Sequence, residues 1–479
     1  MSRGKYLAKN IGLLTISQFG TKLLSFFLVP IYTRVLSTTE YGTYDLFHTS
    51  ILLLVPFLTS NISDATLRFP LDNPNHSDVF KISLRKVVRG IFIALILLLV
   101  NRLVLPYNTV TEYDIFIFGS YVSSSLSVVL INYSRGIEGI KEVAIGGIIS
   151  SAVLLSLNIV FLIPLHLGLY GYFLANIIGS LAQSFYLFIS LKMWKSLKNY
   201  SEYDRNLEKD MVVYSRPLMA NNVAWWVNSS SDRYIVTWLC GYAVNGVYAV
   251  GYKIPSILNV FQTIFNQAWT LSAVKDFDKN DSNGFFTNMY NLYNGSMILI
   301  CSILIICTRI IAKILYAREF YEAWIFVPVL LISVLFGALS GYIGGVFAAV
   351  KDSKIFAQTT ILSAIVNTIL NLILVYYCGA LGAAIATLVA YWLTWLIRMI
   401  KVKKYINLRL NMKRDWLAYI ILIIQTIVML TIKSNDIMLY VIQSFLLILL
   451  ILLFRKQAVI FMDKFKQYIR KGVKHEKRL

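Results

Sequence analysis

The chain has 479 residues, of which 57% are hydrophobic and only 14% are charged, and its formal net charge is +21. Soluble globular proteins are about 45–50% apolar and about 25% charged, so this composition excludes an ordinary soluble domain and indicates a membrane protein. The positive charge does not indicate a nucleic-acid-binding protein, because the Lys and Arg residues cluster in short loops between apolar stretches.

Apolar stretches long enough to cross a bilayer recur along the whole chain. About 20 apolar residues span the hydrocarbon core as a helix. By this criterion the sequence predicts about fourteen transmembrane helices, at 10–35, 41–62, 87–105, 114–133, 142–163, 168–190, 213–238, 243–266, 285–307, 322–348, 355–377, 381–398, 415–432 and 437–454. The predicted fold class is therefore an all-α, polytopic membrane protein.

The distribution of basic residues predicts the orientation. If the amino terminus is cytoplasmic, 36 of the 45 Lys and Arg residues lie in cytoplasmic loops, termini and the adjoining span ends. Five lie in or next to outer loops, and the other four, Lys22, Arg34, Arg233 and Lys253, are assigned to spans. Cytoplasmic loops carry an excess of Lys and Arg, so we expect both termini to be cytoplasmic. The small basic cluster at 309–318 is the one local exception.

Two weak internal similarities predict a duplicated organisation. The segment 158–171 resembles 371–382, and 36–44 resembles 239–248. Both similarities align the seventh span with the first, so each half has six helices and the halves share one orientation, with a site between them. The predicted domains are a six-helix lobe at 1–190, a cytoplasmic linker at 191–212 and a second six-helix lobe at 213–400. Two additional helices follow at 401–454, and a basic cytoplasmic tail at 455–479.

Ionisable residues inside the predicted spans are the candidate functional residues. Each costs about 2.5–3.5 kcal/mol at membrane depth unless it faces protein or a water-filled cavity. A cationic cavity suits an anionic ligand, because Lys and Arg form charge-assisted bonds to phosphate oxygens. The candidates are four basic residues for ligand binding, Lys22, Arg34, Arg233 and Lys253, and two supporting carboxylates, Asp45 and Asp232. Two structural alternatives stay open, since Asp232 and Arg233 could simply neutralise each other and Arg34 could extend to the membrane surface.

Signatures of catalysis are missing from the sequence. There is no GxxxxGK[ST] or GxSxG motif, the four histidines are scattered, and the four cysteines lack zinc-ligand spacing. We therefore expect a protein that is not an enzyme and holds no metal or cofactor. Coupling to protons, to sodium or to the membrane potential is left open.

A family resemblance supports the transport interpretation. The runs PLMANNVAWWVNSSSDRYIV, NGVYAVGYKIPSIL and IFNQAW, and the opening NIGLLTISQFGTKLLSFFLVPIYTRVLSTTEYGTYDL, resemble Wzx-type oligosaccharide flippases of the multidrug/oligosaccharidyl-lipid/polysaccharide exporter superfamily. The resemblance implies a MATE-like exporter fold, with two six-helix lobes around a cavity that contains basic residues. It further implies transfer of undecaprenyl-diphosphate-linked oligosaccharide across the bacterial cytoplasmic membrane by alternating access, for surface polysaccharides such as O-antigen or capsule.

The partners implied by this resemblance are the lipid-linked oligosaccharide, membrane lipids and polysaccharide polymerase machinery, with no nucleic acid. Two other functions remain alternatives. A cation-coupled multidrug antiporter would share the fold, but its cavity should contain buried carboxylates, whereas the deep charges here are mainly basic. A membrane-embedded polysaccharide polymerase would need a sizeable outer loop, and the predicted outer loops are short.

Overall fold

The computed structural model describes residues 26–71, 76–198, 204–275, 277–350, 352–432 and 435–455. Within these ranges the chain is helical almost throughout and contains no β-strand. The predicted all-α fold class is therefore confirmed. Lys22 and almost all of the predicted basic tail lie outside the described residues.

The chain forms two compact units, one of Met1–Val247 with Leu315–Phe320 and the other of Tyr248–Ile314 with Tyr321–Leu479. The helices that lie in or begin in the first unit are α1 (Val29–Val35), α2 (Thr38–Leu58), α3 (Ile62–Arg68), α4 (His76–Val104), α5 (Thr109–Glu112), α6 (Asp114–Gly136), α7 (Ile140–Leu162), α8 (Gly168–Ser190), α9 (Trp194–Lys198), α10 (Arg205–Cys240) and α11 (Tyr242–Gly251). Those that follow are α12 (Pro255–Lys275), α13 (Phe285–Leu315), α14 (Val327–Ala349), α15 (Ser353–Val402), α16 (Met412–Thr431) and α17 (Asp436–Leu453). The two six-helix lobes proposed from the sequence remain a prediction.

Nine helices in the described part of the chain are long and apolar enough to cross a membrane, and a tenth span is formed if α2 and the segment 62–71 are taken together. That pair is bent by 66°. The bend falls at Ser60 and Asn61, which adopt left-handed backbone conformations with φ of 55° and 52°. The predicted number of about fourteen is consistent with these spans. The first predicted span is only partly described, α15 contains two predicted spans, and the seventh and eighth predicted spans correspond to α10 and to α11 with α12.

Helix α10 is long enough to cross a bilayer but is not apolar. Its 36 residues correspond to about 54 Å of helix at about 1.5 Å per residue. The helix begins at Arg205, so it includes the end of the segment that the sequence assigned to a linker. The Asp204 carboxylate caps it by accepting from the backbone N–H groups of Asn206 and Leu207.

The predicted eighth span, 243–266, is interrupted in the structure. Helix α11 ends at Gly251, residues 252–254 form a turn, and α12 begins with Pro255. Proline has no N–H and disfavours helical geometry in the residue before it, which explains the break. Lys253 therefore lies in a turn between two helices, and not midway along a continuous helix as the sequence suggested.

The second unit is built around α14. Eighty-nine per cent of its most apolar window is buried, and α15 packs along it. Helix α15 is two helices joined at Gly379, whose φ of 58° and ψ of −149° lie outside the helical region. Gly379 thus separates the two spans that the sequence placed at 355–377 and 381–398, because glycine accepts this conformation without steric cost.

Candidate functional site

The first unit contains a polar interface between the bent pair α2–α3 and the long helix α10. On α2, Asp45 and Thr49 are four residues apart and so lie on one face of the helix. On α10, Asn222, Trp226 and Arg233 have spacings of four and seven residues, which also place them on one face. These two polar faces meet around Asp45 and Thr49.

An ion pair occupies this interface. Arg233 Nη1 lies 2.5 Å from Asp45 Oδ1 and also donates to Thr49 Oγ1 at 3.3 Å. The side chains are only 18% and 10% exposed, so both charges are largely removed from solvent. Asp45 Oδ2 is buried and makes no hydrogen bond with a described residue. The Asp45 carboxylate thus neutralises the Arg233 guanidinium through Oδ1, while Oδ2 accepts no hydrogen bond from the described residues.

Neutral hydrogen bonds next to the ion pair extend the contact between α2 and α10. The Trp226 indole donates to the Thr49 carbonyl at 2.8 Å, and the Ser50 and Tyr234 hydroxyls are hydrogen-bonded to each other. Each such bond contributes about 1 kcal/mol, and leaving either partner unsatisfied in a buried position costs more. The packing of α2 on α10 therefore depends on the directions of these hydrogen bonds as well as on the ion pair.

The bend between α2 and α3 adds a second carboxylate to the same interface. Asn61 donates to Asp64 Oδ2 at 2.7 Å, and Asn222 donates to Asn61 Oδ1 at 3.2 Å. Asparagine tolerates the left-handed conformation that the bend requires. Asp45 with Thr49, and Asn61 with Asp64, thus form two groups of polar contacts with α10.

The structure places the other predicted site residues in different environments. Asp232 is buried and accepts the backbone N–H of Arg233 at 2.9 Å, whereas the ion pair of Arg233 is made with Asp45. Arg34 lies in the last turn of α1 with an exposed side chain. Lys253 is partly buried, and its backbone N–H donates to the carbonyl of Val250. It belongs to the second unit.

Several members of the interface, namely Thr49, Asn61, Asp64 and Asn222, were not among the residues predicted from the sequence. The spacing of four between Asp45 and Thr49 was one available signal. The other was the sequence Ser60-Asn61, which interrupts an apolar run with two residues that are poor helix formers. The pairing of Asn222 with Asn61 depends on how α10 packs, so no local pattern could predict it.

Solved structures of transporters share this fold. A structure of the lipid II flippase MurJ in an inward closed conformation matches with a TM-score of 0.65 and 16% identity, over 95% of this chain and 99% of that chain. An inward-facing multidrug resistance MATE transporter of the MOP superfamily matches with a TM-score of 0.62 and 13% identity, over 80% and 95% of the two chains. A mutant form of the MATE transporter VcmN of Vibrio cholerae matches with a TM-score of 0.59 and 14% identity, over 84% and 99%. The chain therefore shares its fold with these three solved structures.

Sequence comparison identifies the family. The model of the polysaccharide biosynthesis protein family matches residues 7–271, more than half of the chain, and the protein belongs to this family. The probable low-salt glycan biosynthesis flippase Agl15 of Haloferax volcanii is 25% identical over 211 residues. That alignment spans 42% of this chain and 40% of the relative. The family and the MATE-like fold expected from the resemblance are confirmed, whereas the two six-helix lobes and the basic cavity remain predictions.

Proposed function

We propose that the protein is a flippase for lipid-linked glycans. Its substrate is an undecaprenyl-diphosphate-linked oligosaccharide, which it transfers from the inner to the outer leaflet of the bacterial cytoplasmic membrane by alternating access. Both termini are cytoplasmic, and polymerase machinery for a surface polysaccharide such as O-antigen or capsule uses the product. The family and the transporter fold support this proposal.

The buried ion pair between Arg233 and Asp45 carries the mechanistic part of the proposal. A diphosphate with about two negative charges cannot cross hydrocarbon unless it is neutralised. The Arg233 guanidinium can bind phosphate oxygens in two places through its planar donors, and Asp45 neutralises it when no substrate is bound. Diphosphate binding replaces Asp45 as the partner of Arg233.

Because Arg233 changes its partner, the contacts between α2 and α10 differ between the empty protein and the protein with bound substrate. A ligand shifts a conformational equilibrium only if it interacts differently with the two states. The loss of the Arg233–Asp45 contact weakens the attachment of α2 to α10, so a loaded protein packs this interface differently from an empty one. Proton, sodium or potential coupling would bias the same equilibrium.

The other basic candidates are assigned the same role. Lys253 lies in a turn between α11 and α12, where its ammonium is not restricted to a helix surface. In this proposal Lys253, Lys22 and Arg34 supply further positive charge along the path of the diphosphate. Asp232 supports Arg233 through its backbone.

The experiment that tests the proposal measures where lipid-linked oligosaccharide accumulates. In a deletion strain we expect the intermediate on the cytoplasmic leaflet and loss of surface polysaccharide. Complementation with the wild-type gene should restore export, and Arg233→Ala at equal abundance should not. Normal export in the deletion strain would overturn the proposal, and loss of drug efflux with normal export would instead support the antiporter.

A further inference from the structure

A cavity of about 210 Å³ lies in the first unit, on a side of α2 that the interface with α10 does not use. Residues of α2, α6, α7 and α8 line this partly open cavity. Tyr44 and His48 of α2 line it, and they are each one residue before Asp45 and Thr49 in the chain. Side chains of adjacent residues point in directions about 100° apart around the helix axis, so one face of α2 contributes to the ion pair and another lines the cavity.

The polar lining of the cavity consists mainly of hydroxyl groups. Five serines contribute, Ser120, Ser123 and Ser124 of α6, Ser150 of α7 and Ser180 of α8, together with His48 and the amide of Asn176. Among the lining residues there is no carboxylate, lysine or arginine. The remaining wall is apolar. A ligand that matches this lining is neutral and has both hydroxyl groups and C–H surface.

Several of these polar groups remain available to a ligand. Serine in a membrane helix usually donates to the carbonyl one turn earlier, as Ser151 and Ser184 do here at 3.0 Å. In contrast, the hydroxyls of Ser120, Ser124 and Ser150 make no hydrogen bond with any part of the chain that the structure describes. These three serines are half-buried, so their hydroxyls face the open cavity and can bind a polar occupant.

The other polar groups are held in fixed positions. The Asn176 Nδ2 group donates to the Tyr172 carbonyl at 2.8 Å, which orients the amide and leaves its oxygen as an acceptor. The His48 imidazole is stacked on the Tyr44 ring with 5.7 Å between centroids and 7° between planes. Fixed donors and acceptors lower the entropic cost of binding and increase selectivity.

We propose that this cavity binds one neutral sugar unit of the transported glycan. Pockets for drug-sized ligands are typically about 300–1,000 Å³, so the volume of about 210 Å³ suits a single pyranose ring. The ring carries hydroxyls at its edge for the serines and Asn176, and C–H groups for the apolar wall. The inference rests on the proposed flippase function, and it assigns the sugar a site separate from Arg233.

The test measures direct sugar binding to the purified full-length protein. Saturation-transfer NMR is recorded with methyl glycosides of glucose, galactose, mannose, rhamnose and N-acetylglucosamine, with inositol as a hydroxyl-rich control. We expect at least one glycoside to bind more tightly than inositol. The double substitution Ser120→Ala with Ser150→Ala should weaken that glycoside by at least about tenfold, because two neutral hydrogen bonds are lost.

Matched variants and export assays separate the outcomes. Ser151→Ala and Ser184→Ala remove hydroxyls that are already bonded within their helices, so they should leave glycoside binding unchanged. Ser150→Val fills the cavity and should abolish binding in a protein that remains folded. Absence of glycoside binding, or equal binding by the double variant, overturns the sugar site. If the sugar site fails but export still requires the protein, the proposed flippase function is retained. Normal export in the deletion strain would contradict the flippase function as well.

Discussion

Gly42 of α2 and Gly246 of α11 pack directly against each other's helix backbone. A Cβ atom on Gly42 would lie 1.9 Å from the Tyr242 carbonyl oxygen, and one on Gly246 would lie 2.0 Å from the Thr38 carbonyl oxygen. The contact is reciprocal, since each glycine faces the carbonyl located four residues before the other. Asn245 also donates to the Gly42 carbonyl at 3.1 Å.

The first prediction concerns this glycine contact. Because real Cβ atoms do not approach backbone oxygen so closely, Gly42→Ala or Gly246→Ala must separate the two helices. We expect each to lower the stability by about 1–3 kcal/mol, as overpacking does, and to reduce export. The measurement is thermal unfolding in detergent, together with surface polysaccharide.

Gly337→Ala is the matched control for that experiment. Its Cβ would lie 3.4 Å from the nearest atom of Tyr391, an ordinary van der Waals contact. Within α14 the change should be neutral or stabilising by up to about 1 kcal/mol. Equal melting temperatures for Gly42→Ala and Gly337→Ala would show that the close approach is not important for stability.

The second prediction concerns the ion pair of Arg233 and Asp45. Removing one partner leaves a buried charge without its counterion, so each single alanine variant should be more destabilised than the double variant. A coupling energy of about 0.5–3 kcal/mol is expected from a double-mutant cycle on thermal unfolding. Strict additivity would contradict a direct interaction.

Arg233→Lys separates charge from shape at the same position. Lysine keeps the positive charge but lacks the planar set of donors that binds phosphate in two places. Export should therefore be intermediate, above that of Arg233→Ala and below that of the wild type. Wild-type export with Arg233→Ala at normal abundance would assign this residue a structural role only.

The third prediction concerns Lys253. Lys253→Ala should abolish export of the polymer while protein abundance stays near the wild-type level, because Pro255, two residues later, sets the break between the two helices. Export and membrane abundance are measured in the same complemented cells. Retained export at normal abundance would exclude Lys253 from substrate binding.

The fourth prediction concerns Arg309, which attaches α16 and α17 to α13. Its guanidinium donates to the carbonyls of Met429 and Ile432 at 2.7 and 2.6 Å, at the carboxyl end of α16. The ring of Trp324 lies 4.5 Å from its guanidinium carbon. The carbonyls at a helix end have no partner within the helix, so a cation here is stabilising. Arg309→Ala should lower stability by about 2–4 kcal/mol in thermal unfolding.

Asp436 provides the contrast for Arg309. Its side chain is 63% exposed and lies 3.6 Å from Arg309 Nη1, so this ion pair is largely solvated. Exposed ion pairs contribute about 0–1 kcal/mol, and Asp436→Asn should leave the melting temperature nearly unchanged. If the two substitutions were equally destabilising, the carbonyl contacts would not be the main contribution of Arg309.

The basic cluster at 309–318 shows why burial could not be predicted locally. The sequence places Arg309 in an outer loop, because the apolar run ends near Cys307. The structure continues α13 to Leu315 and buries Arg309 to 7% exposure. The polar groups that accept from it lie more than a hundred residues further along the chain, so only tertiary packing brings them to the arginine.

Composition and periodicity by themselves determined that this chain is a helical membrane protein with many spans, because the bilayer requires long apolar segments whose backbone is internally bonded. The opening and central motifs also indicated the family. Tertiary structure decided that Asp45 pairs with Arg233, that α10 has a polar face covered by α2, and that serines from three helices meet around one cavity. These contacts join residues that are far apart in the chain. They depend on helix packing and on hydrogen-bond geometry, which no local sequence pattern contains.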